Sequence, residues 1–176
     1  MSQPLTHIQP FSQPVEIPDE PAKFSSAVEA EIDRHLAKYP VTRSAILPLM
    51  FIVQRERGYL DPAGVAYLAK RLRLRYTDVW EVATFYSMIQ TKPVGRHNIQ
   101  ICKTLSCKIM GEGKITEHVC RRLGIKPGET TPDGKFTVSL VECLGSCGTA
   151  PMFQVNFDYH ENLTTEKVDK ILDSLA

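Results

Sequence analysis

Four cysteines stand in two short segments whose spacing suits a metal centre. The first segment is Cys102-Lys-Thr-Leu-Ser-Cys107, and the second, after the intervening residues 108–142, is Cys143-Leu-Gly-Ser-Cys147. Each segment follows an apolar run of strand type, so we expect the thiols to lie where the backbone leaves a sheet and folds back over a ligand. Thiolates are the soft ligands that select zinc, copper(I) or iron–sulfur clusters.

The gaps between the paired cysteines decide which metal fits. Structural zinc sites most often use two-residue gaps, because tight turns direct two sulfurs at one small ion. A two-iron cluster spreads four thiolates over two irons, and wider segments with Gly145 and Gly148 would let backbone N–H groups approach its sulfides. The spacing therefore favours an iron–sulfur cluster over a structural zinc, while a redox dithiol or plain buried cysteines remain a third interpretation. The spacing of these cysteines differs from that in plant-type ferredoxins.

The remaining thiol and the nearby cations have plainer interpretations. Cys120 is the fifth cysteine, and its place beside Val119 in an expected helix favours a small buried hydrophobe over a ligand. Lys103 and Lys108 flank the first segment and would raise a cluster's potential, although solvated surface lysines are the simpler interpretation. The five histidines are scattered, so no Rieske-type site is expected.

Composition and charge narrow the class of protein. A chain of 176 residues, 43% of them apolar, is long enough for one domain or two small ones. The net charge of +1 with no dense Lys/Arg run predicts no nucleic-acid partner, so we expect protein partners. The longest apolar run, residues 45–53, is too short for direct membrane insertion. The N-terminus shows neither a secretory signal nor a mitochondrial presequence, which favours a bacterial cytoplasm. In that reducing compartment, paired cysteines are better explained by metal binding than by disulfides.

The first half of the chain predicts a tail and a helical bundle. Residues 1–23 are rich in proline and are expected to form an extended tail. Within residues 24–91, Ser26 and Glu29 form a capping-box pair that opens a first helix, which ends before Pro40. A second helix is expected over residues 44–58, and Asp61-Pro62 opens a third. The apolar face expected for the first helix consists of Val28, Ile32, Leu36 and Tyr39.

A fourth helix is expected to open at Asp78 with Glu81 and to continue to Ile89. It is apolar on most of its circumference, which predicts a position central to a small bundle or packed between two domains. Trp80 and the Phe85-Tyr86 pair would suit a docking surface, but aromatic residues at helical spacing favour core positions.

Past residue 92 the hydrophobic period changes to that of an α/β unit. Strands are expected over residues 98–101, 136–140 and 153–157, the second through Phe136, Val138 and Leu140. A helix is expected from Glu112 to Gly124, and a last helix from Thr164 or Thr165. Gly111-Glu-Gly113 lacks the third glycine of a dinucleotide fingerprint and is interpreted as a turn that lets the helix begin.

Several motifs together resemble one known family. They are Cys102-Lys-Thr-Leu-Ser-Cys107, Gly111-Glu-Gly-Lys114, Glu142-Cys-Leu-Gly-Ser-Cys-Gly-Thr-Ala-Pro-Met152 and, in the helical part, Val82-Ala-Thr-Phe-Tyr86. These stretches closely resemble the NuoE-type 2Fe-2S subunit of respiratory complex I, over roughly residues 24–175. The resemblance implies the fold class α+β, with an N-terminal helical bundle followed by a thioredoxin-like α/β ferredoxin domain in residues 92–176.

The resemblance also implies a cofactor and partners. One 2Fe-2S cluster would be bound by Cys102 and Cys107 on one iron and by Cys143 and Cys147 on the other. The chain would be a non-autonomous electron-transfer subunit of an NADH:quinone oxidoreductase, on the cytoplasmic face of the inner membrane. It would lie beside the flavoprotein subunit that binds NADH and FMN, among other peripheral-arm subunits, with no catalytic residue of its own. Alternatives are the equivalent subunit of an NAD-linked hydrogenase or formate dehydrogenase, or a structural-zinc interaction module.

Overall fold

The computed structural model describes residues 17–175, which fall into two compact units. One unit ends at Ala83 and the other begins at Thr84; the boundary expected between residues 91 and 92 lies a few residues further on. Seven α-helices and a four-stranded mixed sheet form in this part of the chain, which confirms the predicted α+β class. Within residues 17–175, no helix is both long and apolar enough to cross a bilayer.

The first unit is helical. Helices α1 (Ser26–Leu36), α2 (Ile46–Arg57), α3 (Pro62–Leu72) and α4 (Tyr76–Phe85) follow one another, with a 3-10 turn at Thr42–Ala45 leading into α2. Helix α2 packs against both α1 and α3. The side chains that share this interior are fully or almost fully buried: Ile32, Leu49, Met50, Val53, Leu60, Val65, Leu68, Leu72 and Val79.

Helix ends in the first unit follow local chemistry. Asp61 is the N-cap of α3, where its carboxylate accepts a 2.8 Å hydrogen bond from the Gly64 N–H, and Pro62 opens the helix as predicted. Gly58 ends α2 in the left-handed conformation, also as predicted. The expected tail lies mostly outside the described residues, but Ala22 is buried and its N–H bonds to the Ala63 carbonyl at 3.0 Å.

Three expectations for the first unit are wrong in detail. The cap of α1 is Ser25 rather than Ser26, because Ser25 is still extended and its hydroxyl accepts from the Val28 N–H at 3.4 Å. Tyr39 lies beyond the end of α1 and is exposed. Helix α4 begins at Tyr76 and ends at Phe85, short of Ile89.

The expectation that α4 is central to a small bundle is also wrong. Only two of its side chains, Val79 and Ala83, are buried. Phe85 is 79% exposed and Tyr86 is 42% exposed, so the core interpretation fails for this aromatic pair. Apolar periodicity indicates which residues share a face, but it does not show whether another element covers that face.

The second unit is an α/β layer that contains both cysteine segments. Its strands are β1 (His97–Cys102), β2 (Phe136–Val141), β3 (Phe153–Val155) and β4 (Asp158–His160), in the sheet order β2-β1-β3-β4. Strand β1 pairs parallel with β2 and antiparallel with β3. Helices α5 (Leu105–Ile109) and α6 (Glu112–Leu123) connect β1 to β2, and α7 (Thr165–Leu175) closes the chain.

The core of this unit lies between the sheet and helices α6 and α7. It contains side chains from both helices and from three strands: Ile99, Ile101, Ile115, Val119, Phe136, Val138, Phe153, Val155, Val168 and Leu172. Helix α6 begins at Glu112 and ends at Gly124, and Thr164 caps α7 by accepting from the Lys167 N–H, all as predicted. Strand β1 is buried on both faces, and Gln100 is satisfied there by a 2.6 Å bond from Gln154.

Three features of the second unit differ from expectation. The run over residues 153–157 is not one strand, because Asn156 takes a left-handed conformation and turns the chain back into β4. Phe157 lies in that turn and is 60% exposed. Leu140, near the end of the edge strand β2, is 36% exposed rather than covered like Val138. Helix α5 was not predicted, since the first cysteine segment was expected only to leave the sheet and fold back over a ligand.

Candidate metal centre

The parallel pairing of β1 and β2 brings the two cysteine segments together. Cys102 is the last residue of β1 and stands in register with Val141, the last residue of β2. The carboxyl ends of these strands therefore meet at one edge of the sheet, and both segments leave from that edge. Cys107 lies on α5, while Cys147 opens a short 3-10 turn that ends at Thr149.

The two segments differ in exposure. Cys102 and Cys107 are each 2% exposed, whereas Cys143 and Cys147 are exposed. A small apolar cluster surrounds the buried pair, and Met88 packs against it. Its members besides the two cysteines are Val141, Leu144, Ala150 and Met152. The site is thus closed on the side of the first segment and open on the side of the second.

Hydrogen bonds fix the backbone on which the thiols stand. The Cys102 N–H donates to the Met152 carbonyl at 3.3 Å, and the Lys103 N–H donates to the Val141 carbonyl at 3.0 Å. In the second segment, the Tyr159 hydroxyl donates to the Leu144 carbonyl at 2.5 Å. These contacts hold both segments to the sheet, so the positions of the sulfurs are largely preset by the fold.

Glu161 fastens the exposed end of the second segment. Its carboxylate accepts from the hydroxyls of Ser146 and Thr149, the latter at 2.6 Å. The Ser146 hydroxyl, followed by that of Thr149, lowers the pKa of Glu161. The carboxylate therefore stays charged and holds the turn around Cys147.

The sulfurs are arranged as two neighbouring pairs. Cys143 Sγ and Cys147 Sγ are 3.5 Å apart. Two thiolates bound to one tetrahedral ion by bonds of about 2.3 Å lie about 3.8 Å apart, so this pair is already spaced for one metal. Cys102 and Cys107 lie together in one buried apolar cluster, and Cys102 is near enough to act electrostatically on each of the other three thiols.

Each pair combines one thiol of lowered pKa with one of raised pKa. Burial acts to raise the pKa of Cys102, but the hydroxyl and N–H of Thr104 and the N–H of Leu144 outweigh it and lower the pKa. Burial, together with Cys102, raises the pKa of Cys107 to about 11. The Gly145 N–H lowers the pKa of Cys143, and Cys143 in turn raises the pKa of Cys147. A metal that binds all four as thiolates must therefore displace protons from Cys107 and Cys147.

The donor set fits a two-iron cluster. A two-iron cluster takes two thiolates on each iron, which is the arrangement of these pairs. Backbone N–H groups also point at the sulfurs, among them that of Gly145, which needs its φ of +87° to donate to Cys143 Sγ at 3.4 Å.

The two lysines beside the first segment are ion-paired. Lys103 Nζ is 3.1 Å from a Glu142 carboxylate oxygen, and Lys108 Nζ is 3.0 Å from one of Glu112. The Glu112 side chain is only 3% exposed and also accepts a hydrogen bond from the Thr116 hydroxyl. These carboxylates offset the lysine charges, so neither lysine faces the thiols as an uncompensated cation.

The other candidate features lie outside the centre. Cys120 packs against the main core of the second unit, where burial raises its pKa, in agreement with the interpretation as a small hydrophobe. Gly111 is the N-cap of α6 at a φ of +96°, so the Gly111-Glu-Gly113 run is the expected start of a helix. Sequence reasoning missed Thr104 and Glu161, which contact the cysteine segments, and Glu112, which is ion-paired with Lys108 just after the first segment.

Comparison with known proteins identifies the family. The family model of thioredoxin-like 2Fe-2S ferredoxins matches residues 32–176. The chain belongs to this family. The membership confirms the thioredoxin-like ferredoxin fold and the 2Fe-2S cofactor that the cysteine spacing and the resemblance predicted.

Relatives of this ferredoxin carry a consistent name. The second E-type subunit of the NADH-quinone oxidoreductase of Rhizobium meliloti is 44% identical over 144 residues, which are 82% of this chain and 86% of the relative. The E-type subunit of the NADH-quinone oxidoreductase of Rickettsia felis is 47% identical over 144 residues, 80% of this chain and 86% of that protein. Both match along most of their length.

A solved structure shares the fold. A chain of an NAD+-reducing NiFe hydrogenase, crystallised in the air-oxidized state, is 24% identical with a TM-score of 0.61. The match covers 72% of this ferredoxin and 22% of the hydrogenase chain, so this ferredoxin spans about a fifth of that chain. At this identity the likeness concerns the fold alone.

Proposed function

We propose that this ferredoxin is an electron-transfer subunit of a bacterial NADH:quinone oxidoreductase. The observation that carries the proposal is the meeting of two thiol pairs at one sheet edge, in a chain 44% and 47% identical to proteins named as E-type subunits of that complex. The 2Fe-2S cluster would be bound by Cys102 and Cys107 on one iron and by Cys143 and Cys147 on the other.

The protein's own contribution is to hold the cluster and set its surroundings. A bound 2Fe-2S cluster stores and releases one electron at a time. The buried pair, Cys102 and Cys107, anchors it to the apolar interior, while the exposed pair leaves one side open to a partner. The hydroxyl and N–H donors around the sulfurs stabilise the negative charge that gathers there.

The electron partner is the flavoprotein subunit, which binds NADH and FMN, within a peripheral arm of several subunits. Helix α5 and its C-cap offer this partner an apolar face: Leu105 is 75%, Ile109 73% and the C-cap Met110 59% exposed, although Cys107 on the same helix is buried. Large contiguous apolar exposure marks interaction sites. A partner that covers this face would come close to the cluster, because the same helix holds one of its ligands.

The helical part and the location complete the proposal. Residues 24–91 form a helical platform, residues 92–176 form the cluster domain, and the complex attaches the chain to the cytoplasmic face of the inner membrane. The exposed Phe85 and Tyr86 support a docking role for the end of α4. Two tagged chains, one full-length and one beginning at residue 92, test this division: equal capture of the flavoprotein subunit by both would refute the platform.

Metal analysis of the purified chain tests the cofactor. Anaerobically prepared protein should contain two irons and two labile sulfides per chain and show an electron paramagnetic resonance signal after one-electron reduction. The outcome against this proposal is one zinc with no labile sulfide, which would make the chain a structural-zinc interaction module.

Co-purification separates the related complexes. A tagged full-length chain expressed in its own bacterium should bring down a flavoprotein together with membrane subunits and NADH:quinone oxidoreductase activity. Recovery with a hydrogenase or formate dehydrogenase instead, and with no quinone-reducing activity, would move the chain to one of those NAD-linked enzymes.

A further inference from the structure

Thr104 occupies a helix-capping position without capping the helix. It is the N-cap residue of α5, with extended backbone angles, yet its side chain makes no capping hydrogen bond. A threonine at this position ordinarily accepts from an N–H of the first helical turn. Here its Oγ1 lies 3.2 Å from Cys102 Sγ.

Thr104 acts on one sulfur of the buried pair. Burial acts to raise the pKa of the Cys102 thiol, but the hydroxyl and the N–H of Thr104 help to lower it. Cys102 is the last residue of β1, at the sheet edge where the two cysteine segments meet. The Thr104 hydroxyl therefore lies beside one sulfur of the proposed centre.

We propose that Thr104 is a positioning residue for the cluster, whose hydroxyl donates to the Cys102 sulfur and raises the reduction potential. The inference rests on the proposed function, since it needs the cluster to be bound. A sulfur bound to iron is a thiolate with no proton, so the threonine hydroxyl must be the donor in this contact.

The sign of the effect follows from charge. Reduction adds one electron, and part of its negative charge falls on the ligating sulfurs. A hydrogen bond to a charged acceptor is stronger than one to a less charged acceptor, so the hydroxyl stabilises the reduced cluster more than the oxidised one. Loss of the hydroxyl should therefore lower the reduction potential.

Two substitutions at this position separate the hydroxyl from the rest of the side chain. Thr104→Val keeps the shape and removes the donor, whereas Thr104→Ser keeps the donor. Redox titration of the full-length, cluster-loaded protein, followed by electron paramagnetic resonance, should show the reduced form of Thr104→Val disfavoured about tenfold, which is about 59 mV for a one-electron couple. Thr104→Ser should stay near the wild-type potential.

A matched control removes a hydroxyl elsewhere in the same unit. Thr165→Val takes away a hydroxyl that bonds to the Glu166 carboxylate on α7, and it should leave the potential unchanged. If Thr104→Val and Thr104→Ala lose the cluster while Thr104→Ser retains it, the role of the hydroxyl in holding the cluster is supported directly.

Three results would overturn the inference. They are an unchanged potential in Thr104→Val, an equal change in the valine and serine variants, or loss of the cluster in all three variants. Each would assign the role to packing or to the backbone rather than to the hydroxyl. Wild-type protein that holds no two-iron cluster is a separate result, because it contradicts the proposed function before any variant is compared.

Discussion

The exposed face of helix α5 provides a quantitative test of the docking proposal. Leu105 and Ile109 are one helical turn apart and are 75% and 73% exposed, so a partner that covers them buries most of each side chain. Complete burial of a leucine or isoleucine side chain is worth about 1.5–3 kcal/mol. Scaled by these exposures, each side chain would contribute about 1–2 kcal/mol to binding.

Replacement by alanine should remove much of that contribution. We expect Leu105→Ala and Ile109→Ala each to weaken binding of the flavoprotein subunit about fivefold, and the double variant about 25-fold, since about 1.4 kcal/mol corresponds to a factor of ten. The two side chains are neighbours, so the double variant will not match the product of the singles closely. The assay is a binding titration with cluster-loaded protein of equal iron content.

The free energy of unfolding serves as an internal control. Both side chains are exposed, so each single substitution should change it by no more than about 0.5 kcal/mol. Phe157→Ala, in the turn between β3 and β4 and 60% exposed, is a matched control that should leave the dissociation constant unchanged. Wild-type affinity in the double variant would refute the docking role of α5, as would an equal loss in Phe157→Ala.

Three further predictions concern the cluster and the two units. Cys120→Ala should keep the cluster and cost at most about 2 kcal/mol of packing, because this side chain is only partly buried against the core. Alanine at any one of the four proposed ligands should remove or destabilise the cluster, which is measured as iron per chain. These ligands are Cys102, Cys107, Cys143 and Cys147. Gly95→Ala should destabilise the second unit by about 1–3 kcal/mol in denaturant unfolding, because the added Cβ would lie 2.9 Å from the backbone of Lys135; unchanged stability would refute that close approach. Asp61→Ala should cost about 1 kcal/mol at neutral pH through the lost cap. Burial acts to raise the pKa of Asp61, but Arg57 and the Gly64 N–H outweigh it and lower the pKa. The wild type should therefore lose its advantage in free energy of unfolding over Asp61→Ala as the pH falls below the ordinary carboxyl pKa of 3.8. An advantage that does not change with pH would contradict this.

Elements with local signals could be predicted from the sequence. The start of α3 at Asp61-Pro62 and the end of α6 at Gly124 each depend on a few adjacent residues, and the structure confirms both. Helix α5 could not be found in this way, because five residues show no helical period and the cysteines suggested a loop. Strand β4 was missed because its turn depends on one left-handed residue, Asn156.

Burial could be predicted less well than helix or strand. The apolar residues of α4 share faces as the period indicates, yet Phe85 is 79% exposed. In the other direction, Gln100 looks like the polar side of an alternating strand but is buried, because the central strand β1 has neighbours on both edges and a partner amide in Gln154. Both outcomes depend on tertiary neighbours, which a periodic pattern does not specify.

The candidate centre shows the same division between what is local and what depends on the fold. Cysteine spacing alone indicated that these four thiols bind a metal centre, because the two cysteines of each pair are close in sequence and lie within one segment. It did not show how the two segments would meet, since that depends on β1 and β2 pairing in parallel with Cys102 opposite Val141. A shift of this register by one residue would separate the sulfur pairs while leaving every local motif intact. The register of two strands is therefore as much a determinant of the metal centre as the cysteines themselves.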